Sequence, residues 1–171
     1  MDPIRQTLDR VLETGGSERS LFGVLAPVHD FVLARRYDHD AMAEFVAGRA
    51  PSDTDTVLVG GCGSGRLLTR LHDRYLQAVG VDASETMLSL AVSRTDAPLV
   101  AGDVRRTLGR KTFDLSTLLG NTLAHVGHEG DLEATLESEA NEGQRVGVSR
   151  GRGMPTGRGL SGASLARGIQ R

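Results

Sequence analysis

The sequence predicts an α/β fold in which helices flank a mostly parallel sheet. Short apolar runs at residues 57–59, 78–82, 98–101 and 113–119 have the length and composition of strands. Segments with apolar residues at helical spacing separate the first three runs, and strand–helix alternation of this kind favours parallel strands joined by right-handed crossovers. A chain of 171 residues, 39% of them hydrophobic, has the size of one domain with its own core.

Helical patterns fill the first fifty residues, ahead of the first strand. Gly15-Gly16 is expected to end one helix, and Pro27 to break or begin a second. Asp38 and Asp40 precede a third apolar stripe, where aspartates favour a helix N-terminus. We therefore predict a helical cap, or lid, over residues 1–50 and a core over residues 51–140.

Four glycines within six positions follow the first predicted strand, in Val57-Leu58-Val59-Gly60-Gly61-Cys62-Gly63-Ser64-Gly65-Arg66. They let the backbone turn sharply, and the next helix offers its free N–H groups to a ligand above the turn. A dinucleotide site needs Gly-x-Gly-x-x-Gly, but Arg66 stands at the third glycine position. The spacing therefore favours a cofactor without a pyrophosphate, and the alternative is a tight turn that binds nothing.

Aspartates end the second and third predicted strands. Asp82 can accept hydrogen bonds from both hydroxyls of a ribose, or it can cap the helix that begins near Ser84. Asp103 can accept from an adenine amino group while the Val104 N–H meets a ring nitrogen, or it can be an ordinary loop acid. Both interpretations stay open for each aspartate.

Residues 37–136 resemble class I S-adenosylmethionine-dependent methyltransferases, in a form similar to glycine N-methyltransferase-like members. The glycine turn resembles the first motif of that family, and residues 79–88, 100–104 and 113–126 resemble the next three in order. The resemblance implies a Rossmann-like sheet, S-adenosylmethionine as the cofactor, and methyl transfer to a small-molecule acceptor. The four motifs are specific for the cofactor fold and carry little information about the acceptor.

The resemblance also implies a role for individual residues, which we call the nine predicted contacts. They are Gly61, Cys62 and Gly63 for the methionine part of the cofactor, Asp82 for the ribose, Ala83, Met87, Asp103 and Val104 for the adenine, and Leu119 near the sulfonium. Asn121 is expected towards the acceptor. The family usually has an acid where this chain has Val59. No catalytic residue is predicted, because in-line methyl transfer can depend on alignment of the reactants alone.

Several further features limit the class of protein. His125 and His128 have no third ligand nearby in the sequence, so no metal site is predicted. The single cysteine, Cys62, excludes an internal disulfide; its place at a helix N-terminus would lower the thiol pKa, although steric fit in the turn is the simpler reason for it. No secretory signal and no apolar run of ~20 residues is present, so we expect a cytoplasmic protein without a membrane partner.

The composition changes over residues 141–171, where we expect a disordered tail rich in glycine and arginine. Residues 143–171 hold six arginines and no acidic residue, and Arg145 to Ser149 form at most one weak strand. The last strands of the family fold are therefore expected to be missing or replaced, with an atypical or truncated C-terminus. The alternative function is a non-catalytic fragment that binds cofactor weakly, or binds nucleic acid through its basic tail. Because the tail lacks interleaved aromatic residues, we do not favour nucleic acid as a partner.

Overall fold

The computed structural model describes residues 22–104, 113–120 and 122, and the backbone of residues 145–148. The predictions for the first helix of the cap, for the histidines at 125 and 128, for Asn121 and for most of the tail lie outside these residues. Within the described part of the chain, no helix is long and apolar enough to cross a membrane.

The described residues form four helices and five strands, which alternate from β1 to β3. In chain order they are α1 (Ala26–Arg36), α2 (His39–Ala47), β1 (Thr56–Gly60), α3 (Arg66–His72), β2 (Gln77–Asp82), α4 (Glu85–Val92), β3 (Leu99–Ala101), β4 (Leu115–Leu118) and β5 (Arg145–Val148). The glycine turn joins β1 to α3, and the weak strand predicted from Arg145 is present as β5.

The five strands form one sheet in the order β3-β2-β1-β4-β5, and every neighbouring pair is parallel. The predicted parallel, Rossmann-like sheet is thereby confirmed. Val59 of β1 lies opposite Gly80 of β2 on one side and opposite Thr117 of β4 on the other. The chain order therefore reverses at β1, and the carboxyl end of β1 is a topological switch point of the kind where open α/β sheets bind ligands.

Side-chain caps and a proline set the helix starts. The Ala41 N–H donates to Asp38 at 2.9 Å at the start of α2, and the Met87 N–H donates to the Ser84 hydroxyl at 3.1 Å at the start of α4. Pro27 lies in the first turn of α1, where its missing N–H removes no helical hydrogen bond. Pro27 therefore begins a helix rather than breaking one.

One buried core cluster lies between the sheet and the helices α2, α3 and α4, and a second contains Leu58, Val79, Val81, Val104, Phe113 and Leu118. Leu68 and Leu71 of α3 are fully buried, as is Met87 of α4 at 1% exposure. The apolar side chain of Val92, in contrast, is 69% exposed. Val92 is the last residue of α4 and lies about 140° around the helix from Met87 at 3.6 residues per turn.

Candidate cofactor-binding site

A cavity of about 730 Å³ lies where the carboxyl ends of β1 to β4 meet the segment that contains α1 and the start of α2. This volume is within the range of pockets that hold cofactor-sized ligands. Because the cavity surrounds the switch point at β1, the fold places it where a ligand site is expected.

All nine predicted contacts line this one cavity. Gly61, Cys62 and Gly63 come from the turn after β1, Asp82, Ala83 and Met87 from the end of β2 and the start of α4, Asp103 and Val104 from the residues after β3, and Leu119 from the end of β4. Residues up to 58 positions apart in the sequence thus form one surface. The part of the cofactor assigned to each of them stays a prediction.

The glycine turn has a backbone that only glycine adopts without strain. Gly61, Gly63 and Gly65 have φ values of 63°, 55° and 78°, in the left-handed region. A Cβ atom on Gly63 would also lie 3.2 Å from the Met87 methyl carbon, and one on Gly61 would overlap the Thr122 side chain. The turn therefore lines the cavity with backbone that carries no side chain, and Met87 and Thr122 pack too closely against it to admit a Cβ atom.

The Asp82 carboxylate ties the turn to the neighbouring strand. One of its oxygens accepts the Gly63 N–H at 2.8 Å, and the other accepts the Ser84 N–H at 2.9 Å. The N-cap of α4 is Ser84, so the interpretation of Asp82 as the helix cap is wrong. An ionised carboxylate has about four acceptor positions, which leaves room for two hydroxyl donors from a ligand.

Cys62 is buried behind the turn. Burial, followed by the negative charge of Asp82, raises the pKa of the thiol to about 12. The expectation of a lowered pKa is wrong because desolvation disfavours the thiolate more strongly than the helix N-terminus favours it. A Cβ atom on Gly80 would lie 2.9 Å from the Cys62 sulfur, which supports steric fit as the reason for this small side chain.

The N-terminal segment supplies cavity residues that the sequence did not single out. They are Phe22, Gly23, His29, Leu33, Tyr37, His39 and Met42. The Tyr37 and His39 rings meet edge to face with centroids 6.4 Å apart. Burial, followed by the positive charges of Arg70 and Arg66, lowers the pKa of His39, which favours the neutral ring. Tyr37 and His39 flank the Asp38 cap in the sequence, and these two rings were the signal from which cavity residues in this segment could have been predicted.

Asp30 of α1 is the centre of a polar cluster beside the turn. The Asp30 cluster consists of Asp30, Ser64, Arg66 and Arg94. Arg66 donates two hydrogen bonds to the carboxylate, at 2.7 and 2.8 Å, and Arg94 donates at 3.1 Å. The Ser64 hydroxyl also donates to Asp30, and Arg94 donates to the Ser64 carbonyl oxygen. Asp30 is only 8% exposed, so the cluster fixes α1 against the turn from a largely buried position.

The cluster has a strong effect on the ionisation of Asp30. Burial alone would raise the pKa, but hydrogen bonds from Arg66 and Ser64 and the charge of Arg94 outweigh it and lower the pKa to about 2. Asp30 is therefore ionised at neutral pH. The sequence held a signal for such pairing, since arginines recur every fourth residue at Arg66 and Arg70 of α3 and at Arg74 just after it. Arg70 pairs with Asp40 and Arg74 with Glu44, both of α2.

The comparisons with known proteins identify the family of this chain. The family model described as a methyltransferase domain matches residues 57–141, which include the glycine turn and the ends of β2, β3 and β4. Together with the structural neighbours below, this match decides the family. The chain belongs to the class I S-adenosylmethionine-dependent methyltransferases.

Three relatives of this methyltransferase chain illustrate the similarity. A dTDP-3-amino-3,6-dideoxy-alpha-D-glucopyranose N,N-dimethyltransferase of Streptomyces fradiae is 30% identical over 131 residues, which cover 72% of this chain and 51% of that protein. The crystal structure of Streptomyces venezuelae DesVI has a TM-score of 0.64 at 31% identity, over 71% of this chain and 55% of that chain. The SAM-bound structure of CalS10, an amino pentose methyltransferase from Micromonospora echinaspora, has a TM-score of 0.62 at 28% identity. The match covers 67% of this chain and 51% of that chain.

The chain spans about half the length of the curated relatives that it matches.

Proposed function

We propose that this chain binds S-adenosylmethionine in the cavity and forms the cofactor-binding part of an enzyme that methylates a small-molecule acceptor. The observation that carries the proposal is that nine residues chosen from the sequence motifs line one cavity at the switch point of the sheet. The family of the chain and the names of its relatives support it.

The residues present fit this cofactor. The turn offers bare backbone at Gly61 and Gly63 for the methionine part, and Asp82 keeps acceptor capacity for ribose hydroxyls. Asp103 and Val104 line the cavity after β3, and we assign them to the adenine edge. When bound, the cofactor supplies a methyl group activated by positively charged sulfur. The residues of this chain hold and align the cofactor and exclude water from it, and no catalytic acid or base is assigned.

For the acceptor we propose the amino group of a nucleotide-linked sugar. The relative from Streptomyces fradiae is named for a dTDP-linked amino sugar and CalS10 for an amino pentose, which supports this class. The cavity is lined by Phe22, Tyr37 and His39, which combine aromatic rings with the polar groups of tyrosine and histidine, and this combination suits sugar rings. These three side chains come from the N-terminal segment, which agrees with the lid predicted over residues 1–50.

Calorimetric titration of the full chain with S-adenosylhomocysteine tests cofactor binding. We expect saturable binding, and the absence of heat at millimolar ligand in a folded sample would overturn the proposal. Transfer of a labelled methyl group to a dTDP-linked amino sugar tests the acceptor class, with the corresponding hydroxy sugar as the matched control. Equal labelling of both sugars would exclude an amine acceptor.

The alternative of nucleic-acid binding stays a prediction, because residues 149–171 lie outside the described part. It predicts binding that weakens steeply with added salt and disappears when residues 143–171 are deleted.

A further inference from the structure

The Asp30 cluster connects two walls of the cavity. Ser64 and Arg66 belong to the turn and the start of α3, and both line the cavity. Asp30 belongs to α1, from which His29 and Leu33 line the same cavity. The carboxylate of Asp30 therefore joins a helix that forms one wall to the backbone turn that forms another.

The Asp30 cluster lies at one end of the site, beside the glycine turn. Its hydrogen bonds reach the hydroxyl and the carbonyl oxygen of Ser64, one residue after Gly63. The residues predicted for the adenine, Ala83, Met87, Asp103 and Val104, lie after β2 and β3 instead. A change in the cluster therefore acts first on the backbone proposed to hold the methionine part.

The charges of the cluster are unbalanced, since one carboxylate faces the guanidinium groups of Arg66 and Arg94. Arg66 is held by two parallel hydrogen bonds, a geometry that fixes the side chain as well as neutralising it. Without the carboxylate, two positive charges would repel each other beside Ser64, and the turn would lose its attachment to α1.

We propose that Asp30 is a positioning residue for the methionine-binding part of the cofactor site. It holds the glycine turn, through Ser64 and Arg66, in the conformation that accepts the amino-acid portion of S-adenosylmethionine. The inference rests on the proposed function. A purely structural role for Asp30, which would attach α1 to the protein without shaping the turn, makes a different prediction about ligand selectivity.

Two ligands separate these roles. S-adenosylhomocysteine contains the amino-acid portion, whereas 5′-methylthioadenosine keeps the adenine and ribose and lacks that portion. We expect Asp30→Asn to weaken binding of S-adenosylhomocysteine at least tenfold in calorimetric titration and to change binding of 5′-methylthioadenosine less than twofold. Equal weakening of both ligands, or no weakening of either, would overturn the inference.

A second variant keeps the test valid if Asp30→Asn does not fold. Arg94 donates to Asp30 and to the Ser64 carbonyl but is absent from the residues that line the cavity in the described part of the chain. Arg94→Met keeps the bond between Asp30 and Arg66, and we expect about a threefold loss confined to S-adenosylhomocysteine. Asp40→Asn is the matched control, because Asp40 forms an exposed pair with Arg70 and should leave both affinities unchanged.

The wild-type titration distinguishes the two proposals. Wild-type protein that binds neither ligand would overturn the proposed function, and this inference with it. Wild-type protein that binds both ligands, with variants that lose both to the same degree, would overturn the role of Asp30 alone.

Discussion

The Gly63 N–H donates to the Asp82 carboxylate at 2.8 Å, so the acid that ends β2 holds the turn that follows β1. The second oxygen of Asp82 accepts from Ser84, the N-cap residue of α4. One side chain therefore fixes the relative positions of two loops at the mouth of the cavity. A ligand at this place meets an acceptor that is already oriented before binding.

Replacement of Asp82 should weaken cofactor binding through both of these effects. We expect Asp82→Ala to reduce the binding free energy of S-adenosylhomocysteine by about 1–3 kcal/mol, from the loss of charge-assisted hydrogen bonds. Asp82→Asn keeps one acceptor oxygen and should lose less. Calorimetric titration measures the affinity of both variants for S-adenosylhomocysteine. Asp114→Asn is the control, because Asp114 also accepts backbone N–H groups but lies away from the cavity. Wild-type affinity in Asp82→Ala would contradict the ribose assignment.

The Asp30 cluster predicts a pH-dependent contribution to stability. Because the pKa of Asp30 falls from 3.8 to about 2 in the folded state, the stabilisation is complete above pH 4 and is lost as the pH falls towards 2. The shift corresponds to about 2 kcal/mol at neutral pH. Urea unfolding should show Asp30→Asn less stable than wild type by at least this amount at pH 7, with a smaller difference at pH 3. A stability difference between wild type and Asp30→Asn that grows at low pH would contradict the lowered pKa of Asp30.

The buried thiol of Cys62 should react slowly. Its pKa of about 12 leaves almost no thiolate at pH 8, and its side chain has little access to solvent. We expect an aromatic disulfide reagent to modify the native protein far more slowly than the urea-unfolded protein, and the absorbance of the released thiolate measures both rates. Modification at equal rates would show that Cys62 is exposed.

Gly80 is predicted to be intolerant of any side chain. A Cβ atom there would lie 2.5 Å from a methyl carbon of Leu68 and 2.9 Å from the Cys62 sulfur, both in the core. We expect Gly80→Ala to destabilise the protein by about 1–3 kcal/mol in urea unfolding, since overpacking forces neighbours to move. Gly48→Ala is the control, because its Cβ would approach only the Glu44 carbonyl oxygen, at 3.3 Å. A smaller loss of unfolding free energy in Gly80→Ala than in Gly48→Ala would contradict the close packing of Leu68 and Cys62 against Gly80.

The parts of the fold set by local chemistry were predictable from the sequence. The caps at Asp38 and Ser84, the glycine turn, the strand end at Asp82 and the place of Asp103 two residues after β3 each depend on residues close together in the chain. Parallel pairing then brings the strand ends to one edge of the sheet. The family resemblance assigned the nine predicted contacts, and these local signals together with one topological rule explain why those residues meet at one cavity.

Contacts between distant elements were not predictable in the same way. Asp30 and Arg94 are 64 residues apart, and neither belongs to a motif of fixed spacing. The Cys62 pKa was predicted in the wrong direction because burial depends on the packing of β2 and α3 around the turn, which the local pattern does not contain. Val92 has the hydrophobicity of a core residue but lies at a helix end beyond the packed face.

Gly80 also explains how this fold accommodates an arginine at position 66. In dinucleotide-binding folds, the third glycine of the motif lets the first helix approach the sheet closely. Here the Arg66 side chain turns towards Asp30, and the space for the helix comes from the neighbouring strand, where Gly80 receives Leu68. Gly80 thus has the packing role that the third glycine has in the dinucleotide-binding motif, but it lies 14 residues after Arg66, on β2. A search limited to the loop motif would not find it.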